Sequence, residues 1–219
     1  MTLDQGDSCM RLFSCIALFL LCIPACSRSV TPAPVAAEPD YTNALRVHVR
    51  DAAGEPIPGV RLEPSWGEGS VSARQQGARL PVGQGELVLR LEGGEIVVLP
   101  WKLPARDADV EITLYPVTAK AGKRLEFALP VQMGTGYIWH PLRADSGCKP
   151  GAFEKRPGDA PNLVGGSGTQ QFLCPSRKAG DHAEGFVLAR VTKTVESAYP
   201  TTENGRLLYR VAVLLIAVQ

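Results

Sequence analysis

The sequence predicts an all-β protein built as two tandem β-sandwiches. Apolar residues alternate with polar ones in short runs, as Leu45, Val47 and Val49 do against Arg46, His48 and Arg50. That period of two marks half-buried strands. Glycines punctuate the runs, at Gly83-Gln84-Gly85 and Gly93-Gly94, which is turn chemistry between strands. No window carries a helical apolar repeat bounded by caps.

The first segment is read as a targeting signal and is set apart from the fold. Arg11 precedes the apolar run Leu12 to Ile23, followed by Pro24-Ala25-Cys26. The run is too short for a membrane-spanning helix, which needs ~20 apolar residues. Met10-Arg11 offers a compact start, because Met1 to Cys9 holds Asp4 and Asp7 and no base. Ile23-Pro24-Ala25-Cys26 resembles a bacterial lipobox. The resemblance implies residues 1–26 as a lipoprotein signal with Cys26 as the lipidation site. An ordinary signal cut near Ala25, or near Ala36-Ala37, is the alternative. Ser27 after the cysteine implies sorting to the outer membrane of a bacterial cell envelope, facing the periplasm or the cell surface. Residues 27–41, rich in proline and alanine, read as a disordered tether.

Strands follow in two groups. Residues 42–117 form the first sandwich. Leu45 to Val49 is its opening strand, and Asp51-Ala52-Ala53-Gly54-Glu55-Pro56 turns the chain. Ile57 to Leu62, Leu87 to Leu91, Glu95 to Leu99 and Val110 to Leu114 continue it. Its start resembles a carboxypeptidase-regulatory or transthyretin-like β-sandwich, with a short motif that speaks to fold more than to function. Tyr115 to Gly122 is the expected junction. Residues 118–219 form the second sandwich, with strands at Arg124 to Leu129, Tyr137 to His140, Gln170 to Cys174, Phe186 to Thr192 and Leu207 to Val218. The last run is apolar on both alternating sets, the mark of a central strand rather than of a membrane helix.

Charge and cysteine content narrow the function. Lysine and arginine total 23 against 22 acidic residues, with no basic stripe. That balance argues against nucleic acid and against electrostatic membrane binding. Cys148 and Cys174 are the pair left once the signal and Cys26 are set aside. In an oxidising compartment an even pair reads as a disulfide; two cysteines are too few for a structural metal site. His48, His140 and His182 are isolated, and Cys148 with either of the last two matches no nucleophile–base signature. The sequence therefore reads as a non-enzyme without metal or cofactor, and as a monomer.

Two motifs in the second half carry a functional resemblance. Gln132-Met133-Gly134-Thr135-Gly136-Tyr137-Ile138-Trp139 resembles the first binding loop of the chagasin-like inhibitors of papain-type cysteine proteases, whose pattern is Asn-Pro-Thr-Thr-Gly-Tyr-x-Trp. Val164-Gly165-Gly166-Ser167-Gly168-Thr169, followed by Gln170-Gln171-Phe172, resembles that family's glycine-rich second loop. Lys178-Ala179-Gly180-Asp181 resembles the turn before its penultimate strand. The third loop, Arg-Pro-Trp-Glu in the family, falls at Lys193-Thr194-Val195-Glu196. There Glu196 matches, Lys193 keeps the charge and the tryptophan is absent.

The resemblance implies an immunoglobulin-like second sandwich. It implies a papain-like cysteine protease as partner, met by Thr135, Gly136, Tyr137, Gly165, Gly166, Gly168, Thr169, Lys193 and Glu196 clustered at one end. Inhibition of this kind needs a rigid wedge rather than a catalytic group. Glycines flanking Thr135 permit tight positive-φ turns, and a preorganised loop loses less entropy on docking. The alternative is a non-inhibitory envelope protein that uses the same fold for binding or scaffolding.

Overall fold

The computed structural model describes residues 44–67, 70–72, 77–103, 108–132, 134–155, 166–190, 200–203 and 205–219. Every regular element among them is a strand. In chain order these are β1 (Ala44–Asp51), β2 (Arg61–Pro64), β3 (Val71–Ser72), β4 (Ala78–Pro81), β5 (Gly85–Arg90), β6 (Ile96–Trp101) and β7 (Asp109–Ala119). They continue as β8 (Leu125–Gln132), β9 (Ile138–Pro141), β10 (Lys149–Lys155), β11 (Ser167–Cys174), β12 (Gly180–Ala189), β13 (Thr201–Glu203) and β14 (Arg206–Val218). The all-β class read from the alternation is what the structure shows.

The strands form three sheets. A central one runs β4-β1-β7-β14-β12-β9, with β13 paired to β14. Sheet β3-β2-β5-β6 and sheet β10-β11-β8 complete the fold. Side-chain parity places these two on opposite faces of the central sheet. On β14, Tyr209, Val211 and Val213 enter one core, while Ala212, Leu214, Ile216 and Val218 enter the other. On β12, Val187 and Ala189 join the first core, and Phe186 and Leu188 the second. Successive strand residues point to opposite faces, so where both outer sheets cover them these strands have no solvent face to give to polar residues. That is the physical reason why Leu207 to Val218 is apolar on both alternating sets.

The two expected sandwiches therefore share a sheet. The expected boundary at 117/118 falls inside β7, which pairs in parallel with β1 at one end and with β14 along its length, from Leu208↔Asp109 to Val218↔Ala119. Pro116, within the expected Tyr115 to Gly122 junction, sits past Leu114, where β1 has ended. A proline is tolerated where one side of a strand is an edge. The chain does turn at Gly122, with φ 72°, and the Lys123 N–H donates to the Lys120 carbonyl at 3.1 Å. Residues 38–219 make one compact unit.

Local chemistry fixes the remaining turns and the second core. Asp51 Oδ1 accepts from the Ala53 and Glu55 N–H groups, both at 2.9 Å, with Gly54 at φ 89°. A short carboxylate side chain thus supplies the acceptor that a backbone turn would. Phe127, Phe172 and Phe186 form an aromatic triad with centroids 4.8 to 5.3 Å apart. Cys148 and Cys174 are disulfide-bonded, as the even pair suggested, which ties the approach to β10 to the end of β11. Glu184 on β12 is buried and paired with Arg177, whose guanidinium also donates to the Ser146 carbonyl at 3.3 Å.

Candidate functional site

Strand register brings three chain segments to one end of the second sandwich. β8 ends at Gln132 opposite Ser167, where β11 begins. β9 begins at Ile138 opposite Ala189, where β12 ends. Arg190 follows, and Pro200 stands just before β13. The loop from β8 to β9, the entry to β11 and both roots of the β12–β13 connection thus leave the sandwich together.

The loop that carries Thr135 is shaped by its glycines. Gly134 and Gly136 hold φ of 79° and 76°, in the left-handed region where a Cβ costs roughly 1–2 kcal/mol. The Thr135 hydroxyl donates to the Gln132 carbonyl at 2.8 Å and accepts from the Tyr137 N–H at 3.3 Å. The turn is closed from within by its own side chain.

Neighbouring elements fix it from outside. The Arg190 guanidinium donates to the Thr135 carbonyl and lies over the Tyr137 ring, 5.1 Å from its centroid. A cation over an aromatic face is attracted by the ring quadrupole. The Tyr137 hydroxyl donates to the Pro200 carbonyl at 3.1 Å. One aromatic side chain therefore touches both roots of the β12–β13 connection.

Beneath the loop lies a polar clamp inside the core. Gln170 is fully buried. Its side-chain carbonyl accepts from the Trp139 N–H at 2.8 Å, and its NH₂ donates to the Trp139 carbonyl at 3.2 Å. The Trp139 indole N–H donates to the Pro130 carbonyl at 2.8 Å. Buried polar groups cost little when both partners are satisfied, and here the bonds tie the two facing sheets together. Trp139 is 5 % exposed, a core residue as strand alternation requires.

The predicted residues fall into three sets. Thr135, Gly136 and Tyr137 form the loop. Gly166, Gly168 and Thr169 lie at the entry to β11 beside it, with Gly168 opposite Val131 and Thr169 opposite Pro130; the last two are strand residues. Gly165, Lys193, Glu196 and Cys26 lie outside the described residues. Arg190 and Gln170 were not singled out from sequence. Arg190 sits three positions before Lys193, and the only signal for it is a basic residue closing an apolar strand. A glutamine at an inward strand position was the signal for Gln170.

The site's chemistry is that of a shaped surface. Cys148 is held in the disulfide and presents no thiol. His140 on β9 is half-buried, and burial lowers its pKa against an opposing backbone hydrogen bond at Ala189. Among the described residues no group of three or more metal-ligating side chains is found.

No family model matches the chain, and no curated protein matches it. Solved structures do. A structure of PbICP-C in complex with falcipain-2 is similar over 49% of this chain and 89% of that one, at 15% identity and a TM-score of 0.31. The solution structure of amebosin covers 48% of this chain and 88% of its own, at 20% identity and a TM-score of 0.31. The cysteine protease inhibitor EhICP2 from Entamoeba histolytica covers 50% and 96%, at 13% identity and a TM-score of 0.32. The likeness covers the C-terminal half, and a transthyretin-like relationship of the N-terminal half finds no support in these comparisons.

Proposed function

We propose that this protein inhibits papain-like cysteine proteases by setting the Thr135 loop into the active-site cleft. One observation carries the reading. The Gly134–Tyr137 turn is locked from three directions, by the Thr135 hydroxyl, by Arg190 and by the Tyr137–Pro200 bond. A loop held in one shape before docking avoids the ordering cost that weakens flexible binders. The entry to β11 at Gly166 stands beside it as a second contact, and residues 193–196 are proposed as the third. The test titrates the purified chain against papain and a cathepsin. Inhibition constants in the micromolar range or tighter support the proposal; no inhibition across several such enzymes overturns it.

Export and anchoring belong to the same reading. Cys26 is proposed as the lipidated residue of an outer-membrane lipoprotein. Cys26→Ser is then expected to release the protein from the membrane fraction, and identical partitioning of both forms sinks the anchor. The second reading is a non-inhibitory envelope binding protein. The observation favouring it is Lys193-Thr194-Val195-Glu196, which lacks a tryptophan, a preferred interface anchor.

A further inference from the structure

The central sheet extends past the layer that covers one of its faces. Sheet β3-β2-β5-β6 stops at the β5–β6 turn. Beyond Gly94–Val97, two rungs of β7, β14 and β12 form the floor of a cleft. Register identifies the rungs as Pro116–Leu215–Ala183 and Thr118–Ala217–Asp181. The cleft encloses about 590 Å³, within the range of sites that hold ligands.

Its lining has two characters. The centre of the floor is apolar, made by Pro116, Leu215, Ala183 and Ala217, with Thr118 and Asp181 at the outer ends of its second rung. Leu215 and Ala217 stay partly exposed although β14 is an interior strand. On the opposing wall Ile96 is 55% exposed. The rim holds two exposed carboxylates, Asp181 and Glu95. His182 also borders the cleft, with its ring nitrogen bonded to the Lys178 carbonyl at 2.8 Å.

A strand edge opens beside this floor. β9 pairs with β12 over Phe186–Ala189, and the Gly185 carbonyl accepts from the Leu142 N–H at 2.8 Å. Backbone groups of alternate residues point to the same side of a strand, so those of Ala183 and Asp181 point where that of Gly185 does. Among the described residues no backbone group pairs with them there. An open edge is a template for another extended chain.

We propose that this cleft is a second binding surface, which takes an extended segment of a partner protein carrying a lysine or arginine between aliphatic residues. The segment continues the line of β9 along β12. Its aliphatic side chains cover Ala183, Leu215 and Ile96, and its cation lies between Asp181 and Glu95. Main-chain bonds supply affinity and alternating side chains supply specificity; the carboxylates select a basic segment over an acidic one. Ala183 lies about 20 Å along β12 from the Thr135 loop end, at strand rise. Both surfaces can be occupied together, and this proposal does not depend on the protease reading.

The probe is the peptide acetyl-Val-Leu-Arg-Leu-Val-amide, with Glu in place of Arg as the charge-reversed control. Each is titrated into the purified chain and followed by backbone amide chemical shifts. Saturable shifts at Ala183, Leu215 and Ala217 are expected with the Arg peptide. The Glu peptide and the Asp181→Lys variant are each expected to weaken binding about tenfold. Ala217→Phe, which fills the cleft, is expected to abolish binding without moving the backbone amide shifts of Thr135, Gly136 and Tyr137. If Ala217→Phe fails a melting control, Ile96→Ser replaces it, at an exposed site the fold does not need. Unmoved amides, shifts scattered over the surface, equal binding of both peptides or undiminished binding to the variants would each overturn the proposal.

Discussion

Arg190 donates a guanidinium hydrogen bond to the carbonyl of Thr135 across the gap between β12 and the β8–β9 loop. The two residues are 55 positions apart in sequence. The contact joins the residue just after β12 to the tip of a turn, and the same guanidinium covers Tyr137. A wedge of this shape owes its rigidity to a neighbour as much as to its own glycines.

Arg190→Ala is therefore expected to weaken inhibition of a papain-like protease by about tenfold, through faster dissociation. Arg190 is exposed, so the melting temperature should move little. Arg190→Lys keeps charge but not the planar fork and should recover part of the loss. Unchanged inhibition in Arg190→Ala, with wild type active, would show that the clamp is dispensable.

Gly136→Val should weaken inhibition more than Thr135→Ala. At φ 76° a β-branched residue is a strained choice, and a Cβ there would stand 3.1 Å from Arg190 Nε. The variant thus disturbs both the turn and its clamp. Thr135→Ala removes one hydroxyl bond and leaves the backbone path. Inhibition constants for the two, with thermal melts as folding control, decide the order.

The C-terminal half is not expected to behave as a free-standing inhibitor. A fragment of residues 109–219 would uncover Tyr209, Val211, Val213, Val187 and Leu142, all members of the core shared with the first half. Each exposed large aliphatic side chain forfeits roughly 1.5–3 kcal/mol, so the loss approaches the whole stability of a small domain. Aggregation or a strongly lowered melt relative to the full chain is the expected result. A fragment that melts like the parent would mean the two halves are energetically separate.

Reduction of the Cys148–Cys174 disulfide is expected to cost ~3–4 kcal/mol in the chain-entropy account. Denaturant titration with and without reductant measures it. Coincident midpoints would remove the bond from the list of stabilising features.

Glu184 gives a pH prediction. Burial raises its pKa above the ordinary carboxylate value, against the opposing pull of Arg177, and its Oε2 has no hydrogen-bond partner among the described residues. A raised folded-state pKa favours the neutral form, so this contribution is fully present below the unfolded pKa and is lost as pH rises through the folded one. Measured against Glu184→Gln, the wild type should gain stability as pH falls from 7 towards 4.5. A pH-independent difference in denaturation midpoint would show instead that Arg177 holds the carboxyl charged.

Local pattern carried much of this protein. The alternation at Leu45, Val47 and Val49 gave an inward face because a strand's side chains obey a period of two. Gly134 and Gly136 announced a positive-φ turn because few other residues enter that region cheaply. The doubly apolar run in β14 announced burial on two sides. What covers those sides was decided in three dimensions. Parallel pairing of β7 with β1 and with β14 joined the expected sandwiches into one stack across the expected Tyr115 to Gly122 junction. Arg190 over Tyr137 and Gln170 around Trp139 were equally out of reach, because each pair meets through strand register. Periodicity states which way a side chain points, while register states what it meets there; register is settled by the packing of distant strands, which a linear pattern does not encode.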